Sequence, residues 1–301
     1  MKSLWLVILC CGAGFACTAS ARITQGFVAG ADHVKIHYRE DGPQNAPRSL
    51  LLIPGWRVSS LIWAAQLRYF AARGDRVVAI DSRSQGGSTV VYRHNSPEDR
   101  AQDIHEVIEH LHLAHVTLVG WSQGVQDVAA YVNRFGAGGL EDLALIDAPL
   151  SGGPGQAARN PGFLTTILRG IASYSRDPRG YSQGMMRAII SVPIPSALMR
   201  RLVGESMKTP VDVGISMLVQ DLFTVDRRSD LEKFTRPTLV VAARRSPLLA
   251  AERRMAAHLP MGQFVVIRHA AHALFFDRPA KFDSTLEAFI TRVAANRGAR
   301  S

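Results

Sequence analysis

A serine hydroxyl becomes a nucleophile where the chain holds it clear of its own backbone and beside amide donors, and one stretch of this sequence has that construction. In Val116 to Ala129, V-T-L-V-G-W-S-Q-G-V-Q-D-V-A, a short apolar run with β-branched residues gives way after Gly124 to a pattern that a helix would bury. Gly120-Trp121-Ser122-Gln123-Gly124 therefore stands where a strand turns into a helix. A G-x-S-x-G turn this tight strains the serine backbone and leaves no room for side chains two residues before and after it, vacancies that Gly120 and Gly124 supply. Ser122 is the candidate nucleophile, and the N–H of Gln123, at the helix start, points at a developing oxyanion. Gly180-Tyr181-Ser182-Gln183-Gly184 matches the same expression, but R-D-P-R precedes it where a buried strand should stand, so Ser182 is set aside.

The elements that must hold such a turn are readable on either side. Val34 to Arg39 alternates like a half-exposed strand, whereas Ser49 to Ile53, Arg76 to Ile80, Leu143 to Ile146, Thr238 to Ala242 and Gln263 to Ile267 are apolar enough to be covered on both faces. Pro54-Gly55-Trp56 closes the first of these buried strands, which makes the Trp56 N–H the second oxyanion donor opposite Gln123. Ser96-Pro97-Glu98-Asp99 opens a helix running to Leu113, and the last helix begins at Ala280. Asp81 and Arg83, in the loop D-S-R-S-Q-G-G-S, read as a structural ion pair bracing the rim of a site. His105, His110, His112 and His115 fit no metal-ligand spacing and read as a solvated face. From Leu150 to about Val225 strand-like runs are absent, and helical pieces such as Phe163 to Ile171 and Val211 to Phe223 form a cap over the sheet. Its Met185, Met186, Met199, Met207 and Met217 suit either a lid over an acyl group or ordinary packing. Strands alternating with helices give a mostly parallel α/β sheet.

Met1 to Ala21 carries one charge, Lys2, an apolar run and Ala19-Ser20-Ala21 before Arg22, the pattern of a cleaved export signal. Lipidation at Cys17, or an uncleaved anchor, is the alternative. Cys10, Cys11 and Cys17 all lie there, so cleavage leaves a chain without thiols, which excludes disulfides and zinc-thiolate sites. The net charge of +10 comes from arginines scattered along the chain, with no basic run or aromatic interleaving that would mark a nucleic-acid site.

The elbow G-W-S-Q-G, the P-G-W after an earlier strand, the loop D-S-R-S-Q-G-G-S and a late histidine together resemble the α/β-hydrolase superfamily, nearest its small esterases and cofactor-free, non-haem haloperoxidases. The resemblance runs from about Val34 to the C-terminal helix. It implies a catalytic histidine after the last strand, followed by four residues, an acid, one residue and a proline; His272 fits through Asp277 and Pro279, and His269 does not. Two departures stand out: Pro54-Gly55 replaces the usual His-Gly, and the loop after Thr238 to Ala242 reads A-R-R-S-P-L, with no carboxylate before Glu252. Asp147, closing the strand after the nucleophile's helix, keeps the order Ser, acid, His and becomes the expected triad acid.

The expectation is an exported serine hydrolase of the α/β-hydrolase fold that cleaves small-molecule carboxylic esters with Ser122, His272 and Asp147, needing no cofactor or metal and no nucleic-acid partner. Its divisions are a signal peptide (1–21), a core in two parts (22–149 and 226–301) and a helical cap (150–225). Membrane association would follow only from a lipidated Cys17 or an uncleaved N-terminal segment. Two alternatives remain: a cofactor-free dioxygenase of heteroaromatic rings, or a non-catalytic binding protein on the same fold, which a missing triad acid would favour.

Overall fold

The continuous apolar runs become the centre of an eight-stranded sheet because neither of their faces can be left in water. The computed structural model describes residues 23–298, so the predicted leader and Cys17 lie outside the described residues. The strands are β1 (Thr24–Ala29), β2 (Lys35–Asp41), β3 (Ser49–Ile53), β4 (Arg76–Ile80), β5 (Val116–Trp121), β6 (Leu140–Ile146), β7 (Thr238–Ala243) and β8 (Gly262–Ile267). The helices are α1 (Ala64–Ala71), α2 (Pro97–His110), α3 (Gln123–Phe135), α4 (Gly153–Arg159), α5 (Pro161–Arg176), α6 (Pro178–Ile189), α7 (Ser196–Ser206), α8 (Val211–Phe223), α9 (Leu249–His258), α10 (Leu274–Asp277) and α11 (Pro279–Gly298).

The strand order is β1-β2-β4-β3-β5-β6-β7-β8; β2 runs against both its neighbours and every other pair is parallel. Alternate residues of one strand feed opposite faces. Leu51 and Ile53 join the core beneath α2, α3 and α9, while Leu50 and Leu52 join the core beneath α1, α11 and part of the cap. One edge of the sheet therefore carries the C-terminal ends of β3, β5, β6, β7 and β8, where ligands of parallel α/β sheets bind. β1 was not readable in the sequence: T-Q-G-F-V-A is an exposed edge strand in which only Val28 is buried. The helix expected to reach Leu113 ends at His110, and His112 turns the chain at φ 49°.

Helices α4 to α8 lie between β6 and β7. The cap is fastened at the loop after β3. Arg57, fully buried, donates from Nη2 to Ser182 Oγ at 2.7 Å and to the Ser206 carbonyl at 3.3 Å, with its guanidinium 3.9 Å from the Tyr174 ring centre. Burial pulls its pKa below the usual arginine range, the nearby tyrosines acting in the opposite direction. The cap methionines pack: Met186 and Met217 are buried, Met185, Met199 and Met207 lie partly buried against the core that holds Met186, and none borders the cavity described below. Asp81 and Arg83 are not partners of each other, a correction to the expected pair. Asp81 meets His37 Nδ1 at 2.8 Å and accepts from the Gly87 N–H at 2.7 Å, whereas Arg83 holds Asp103 at 2.6 and 2.7 Å.

Candidate active site

Ser122 leaves β5 at φ 57° and ψ −113°. Such a conformation costs a non-glycine residue on the order of 1–3 kcal/mol and persists only where its surroundings over-determine it. Here the serine N–H donates to the Ile146 carbonyl at 3.0 Å and its own carbonyl accepts from Val125 at 3.0 Å. The strand end and the helix start are in contact, since a Cβ on Gly120 would stand 2.3 Å from the Gly124 carbonyl oxygen. Gly55 brings the loop after β3 close as well, since a Cβ there would lie 3.1 Å from that of Ser122. Among the described residues no acceptor takes the N–H of either Trp56 or Gln123, so both donors remain available to a ligand.

Asp147 closes β6 at φ 51° and is buried. Its Oδ1 accepts from the Ala243 N–H at 2.6 Å and its Oδ2 stands 2.8 Å from His272 Nδ1. That contact turns Nε2 into the nitrogen left to act on Ser122. Ser122, His272, Asp147, Trp56 and Gln123 all border one cavity of about 240 Å³. Its apolar wall comes from Leu150 and Leu248, in the loops that follow β6 and β7, and from Phe163, Ile167, Leu218 and Leu222 of the cap helices.

The histidine loop is held by residues whose roles only packing makes visible. Trp121, inside the elbow, donates its indole N–H to the His272 carbonyl at 3.0 Å and packs edge-on against Phe275, which stacks on Trp63 at 3.8 Å. The acid that identified His272 by spacing, Asp277, staples the loop to the cap. It accepts from Ala271 at 2.7 Å, from the Ser191 N–H at 2.8 Å and from the Ser191 hydroxyl at 2.6 Å. His269 is exposed, makes no contact with Asp147, and accepts from Arg278 through its carbonyl at 2.7 Å.

The loop after β7 carries no carboxylate to the histidine. Arg244 and Arg245 are exposed, and Ser246 caps the turn by accepting from the Leu248 N–H at 3.2 Å. Glu252 is buried in α9, and burial first, the Asp147 charge second, push its carboxyl up to about 8, so it is held neutral where Asp147 is paired. Of the four histidines in and just after α2, His105 stacks on Phe135 at 4.2 Å instead of facing solvent, while His110 at the helix end and His112 and His115 beyond it are exposed. Asp32, His94 and Asp99 do bring ligand-type atoms within 4.8 Å of one another at the surface, but one Asp99 oxygen is committed to Ser96 at the start of α2 and none of the three borders the cavity.

Residues 50–284 match the alpha/beta hydrolase family. The chain belongs to that family. The chain is 37% identical over 123 residues to the bifunctional esterase/perhydrolase of Acinetobacter calcoaceticus, a stretch covering 41% of this chain and 44% of that one. It therefore spans less than half of that relative's length. To the non-heme chloroperoxidase CPO-A1 of Kitasatospora aureofaciens it is 28% identical over 265 residues, 81% of this chain and 90% of the other. The solved esterase of Exiguobacterium antarcticum superposes with a TM-score of 0.78 at 21% identity, covering 88% of this chain and 98% of that one, a likeness of fold. The relatives matched in sequence are thus named as esterase and as non-heme haloperoxidase, within the alpha/beta hydrolase family that the chain belongs to.

Two parts of the site escaped sequence reading. Asp221 borders the cavity from α8, and Arg100 lies beneath it from α2. Both were signalled by a charge on a buried stripe: Val213, Met217 and Asp221 follow one another at helical spacing, as do Pro97, Arg100, Ile104 and Val107. Burial raises the Asp221 carboxyl and lifts Asp127 to about 7, while Arg100 between them pulls both back toward the charged form.

Proposed function

We propose that the protein is a serine esterase acting through an acyl-enzyme, with Ser122, His272 and Asp147 as triad and the N–H groups of Trp56 and Gln123 as oxyanion hole. The observation that carries this is the 2.8 Å contact between His272 and Asp147 beside a serine held at φ 57°, both histidine and serine bordering one cavity. Ser122 Oγ attacks the acyl carbon as His272 Nε2 takes its proton, and the carbonyl oxygen, now an oxyanion, is held by the two amides. Collapse expels the alkoxide, which leaves with the proton from His272. Water then repeats the attack on the acyl-enzyme with the same base, releasing the carboxylic acid and restoring the serine. Asp147 keeps the proton on Nδ1 and stabilises the imidazolium.

The substrate in this reading is a small ester with a short, apolar acyl part, since the cavity of about 240 Å³ falls below the ~300–1,000 Å³ of sites for drug-sized ligands. The names of the relatives, esterase and perhydrolase among them, agree with acyl transfer. Export belongs to the same proposal, supported by the apolar leader and Ala19-Ser20-Ala21. Labelling with a fluorophosphonate, with the modified residue located by mass spectrometry, tests the mechanism, and hydrolysis of p-nitrophenyl esters of graded acyl length tests the substrate. A wild-type protein that takes neither reagent, or consumes oxygen with a quinolone instead, would falsify it.

A further inference from the structure

Both oxyanion donors are tied to one cap helix. Trp56 donates its indole N–H to the Gly214 carbonyl at 2.8 Å, and Gln123 donates its side-chain amide to Asp221 Oδ2. Gly214 and Asp221 are seven residues apart on α8, two turns and about 10 Å along one face. The donors are also tied to each other. The Arg57 N–H, next in sequence to Trp56, donates to Gln85 Oε1, and Gln85 Nε2 donates to Gln123 Oε1 at 2.9 Å.

This chain of amides has a direction. With its oxygen spent on a backbone N–H, Gln85 must offer N–H groups to Gln123; Gln123 must then offer its own onward, and the chain has to end on an acceptor. Asp221 is that end. Its second oxygen accepts from Arg100 Nη2, and Arg100 Nε donates to Asp127 at 2.8 Å. Gln85, Gln123, Asp221, Arg100 and Asp127 are all at most 5% exposed, so breaking one link leaves a largely desolvated polar group without its partner.

The geometry points to α8 as a two-point strut for the oxyanion hole, with Asp221 as a positioning residue that sets the orientation of Gln123 and, through Gln85, its distance from Trp56. The inference rests on the ester-hydrolase reading above. Oxyanion donors act only when their N–H groups stand about 2.7–3.1 Å from where the charge develops, so a seated cap completes the site as well as covering it.

The experiment compares Asp221→Asn, Gln85→Met and the double variant with wild type. Kinetics with a p-nitrophenyl ester are normalised to the active fraction titrated by fluorophosphonate, and affinity is measured for a trifluoromethyl ketone, which forms an oxyanion on the serine. Each single variant should lose about 10–100-fold in kcat per titrated site, part of the ~10²–10³ that a whole oxyanion donor is worth, with KM within threefold. Ketone affinity should fall by the same factor, and the double variant should be no worse than the poorer single one, because both break one chain. If Asp221→Asn does not fold, Gln85→Met, which removes no buried charge, decides alone. A turnover within threefold of wild type, unchanged ketone affinity, or multiplying losses would overturn the strut while leaving the esterase intact. A wild-type protein inert to both ester and fluorophosphonate overturns the esterase reading, and the strut with it.

Discussion

Two segments share the expression G-x-S-x-G and almost nothing else. Gly120 to Gly124 is a turn between β5 and α3, and Ser122 is held there at φ 57°. Gly180 to Gly184 lies inside α6, where Ser182 is an ordinary helical residue whose hydroxyl donates to the Pro178 carbonyl at 2.6 Å and accepts from Arg57 at 2.7 Å. The glycines measure the difference. At the first glycine a Cβ would meet the Gly124 backbone at 2.3 Å on Gly120 but only the Asp177 side chain at 2.0 Å on Gly180, and at the last it would meet the Ile53 backbone at 2.8 Å on Gly124 but nothing within 4 Å on Gly184. In the esterase reading, what would make a serine reactive is the strand that delivers it and the crowding that forbids every relaxed conformation. At the second copy those conditions are missing, and the same five-residue pattern serves to dock the cap on a buried arginine.

The largest expected effect is at the strained serine. Ser122→Ala should lose on the order of 10⁶ in kcat, as loss of a triad serine does, and should no longer be labelled by fluorophosphonate. Asp147→Asn comes next, with a fall of about 10⁴ in ester turnover if the carboxylate orients His272. Partial recovery on adding Ser246→Asp would sharpen that assignment, and turnover within tenfold of wild type would remove it; full loss in His269→Ala with an active His272→Ala would instead overturn the choice of His272.

The glycines test the crowding itself. Gly120→Ala should yield little folded, titratable enzyme, because the obstacle is a backbone oxygen that cannot step aside. Gly184→Ala, in an open helical position, should raise stability by about 0.5–1 kcal/mol with unchanged turnover, read from urea unfolding. Ser182→Ala should hydrolyse esters at nearly the wild-type rate and lose about 1–3 kcal/mol of stability, the cost of leaving a buried donor of Arg57 without its acceptor. Equal loss of activity in Ser122→Ala and Ser182→Ala would erase the distinction.

Features that arise within a few residues were legible without the fold. The strained turn follows from two glycines and an apolar run, and the buried strands from their unbroken hydrophobicity. The choice of His272 by its spacing to Asp277, and of Asp147 in place of the arginines after β7, was what the resemblance to the α/β hydrolases implied, and the 2.8 Å contact between the two is tertiary. The sequence missed β1, whose exposed edge leaves too few buried residues to mark it. It also missed everything that joins the cap to the core. Gln123 meets Asp221 across 98 residues and Trp56 meets Gly214 across 158. Hydrophobic period and turn chemistry act over one or two turns of chain, so they identify which residues face inward but not which inward-facing polar group will find which. That choice belongs to packing, where a buried donor must be matched or pay its full desolvation cost, and the partner is whatever the folded chain brings within reach.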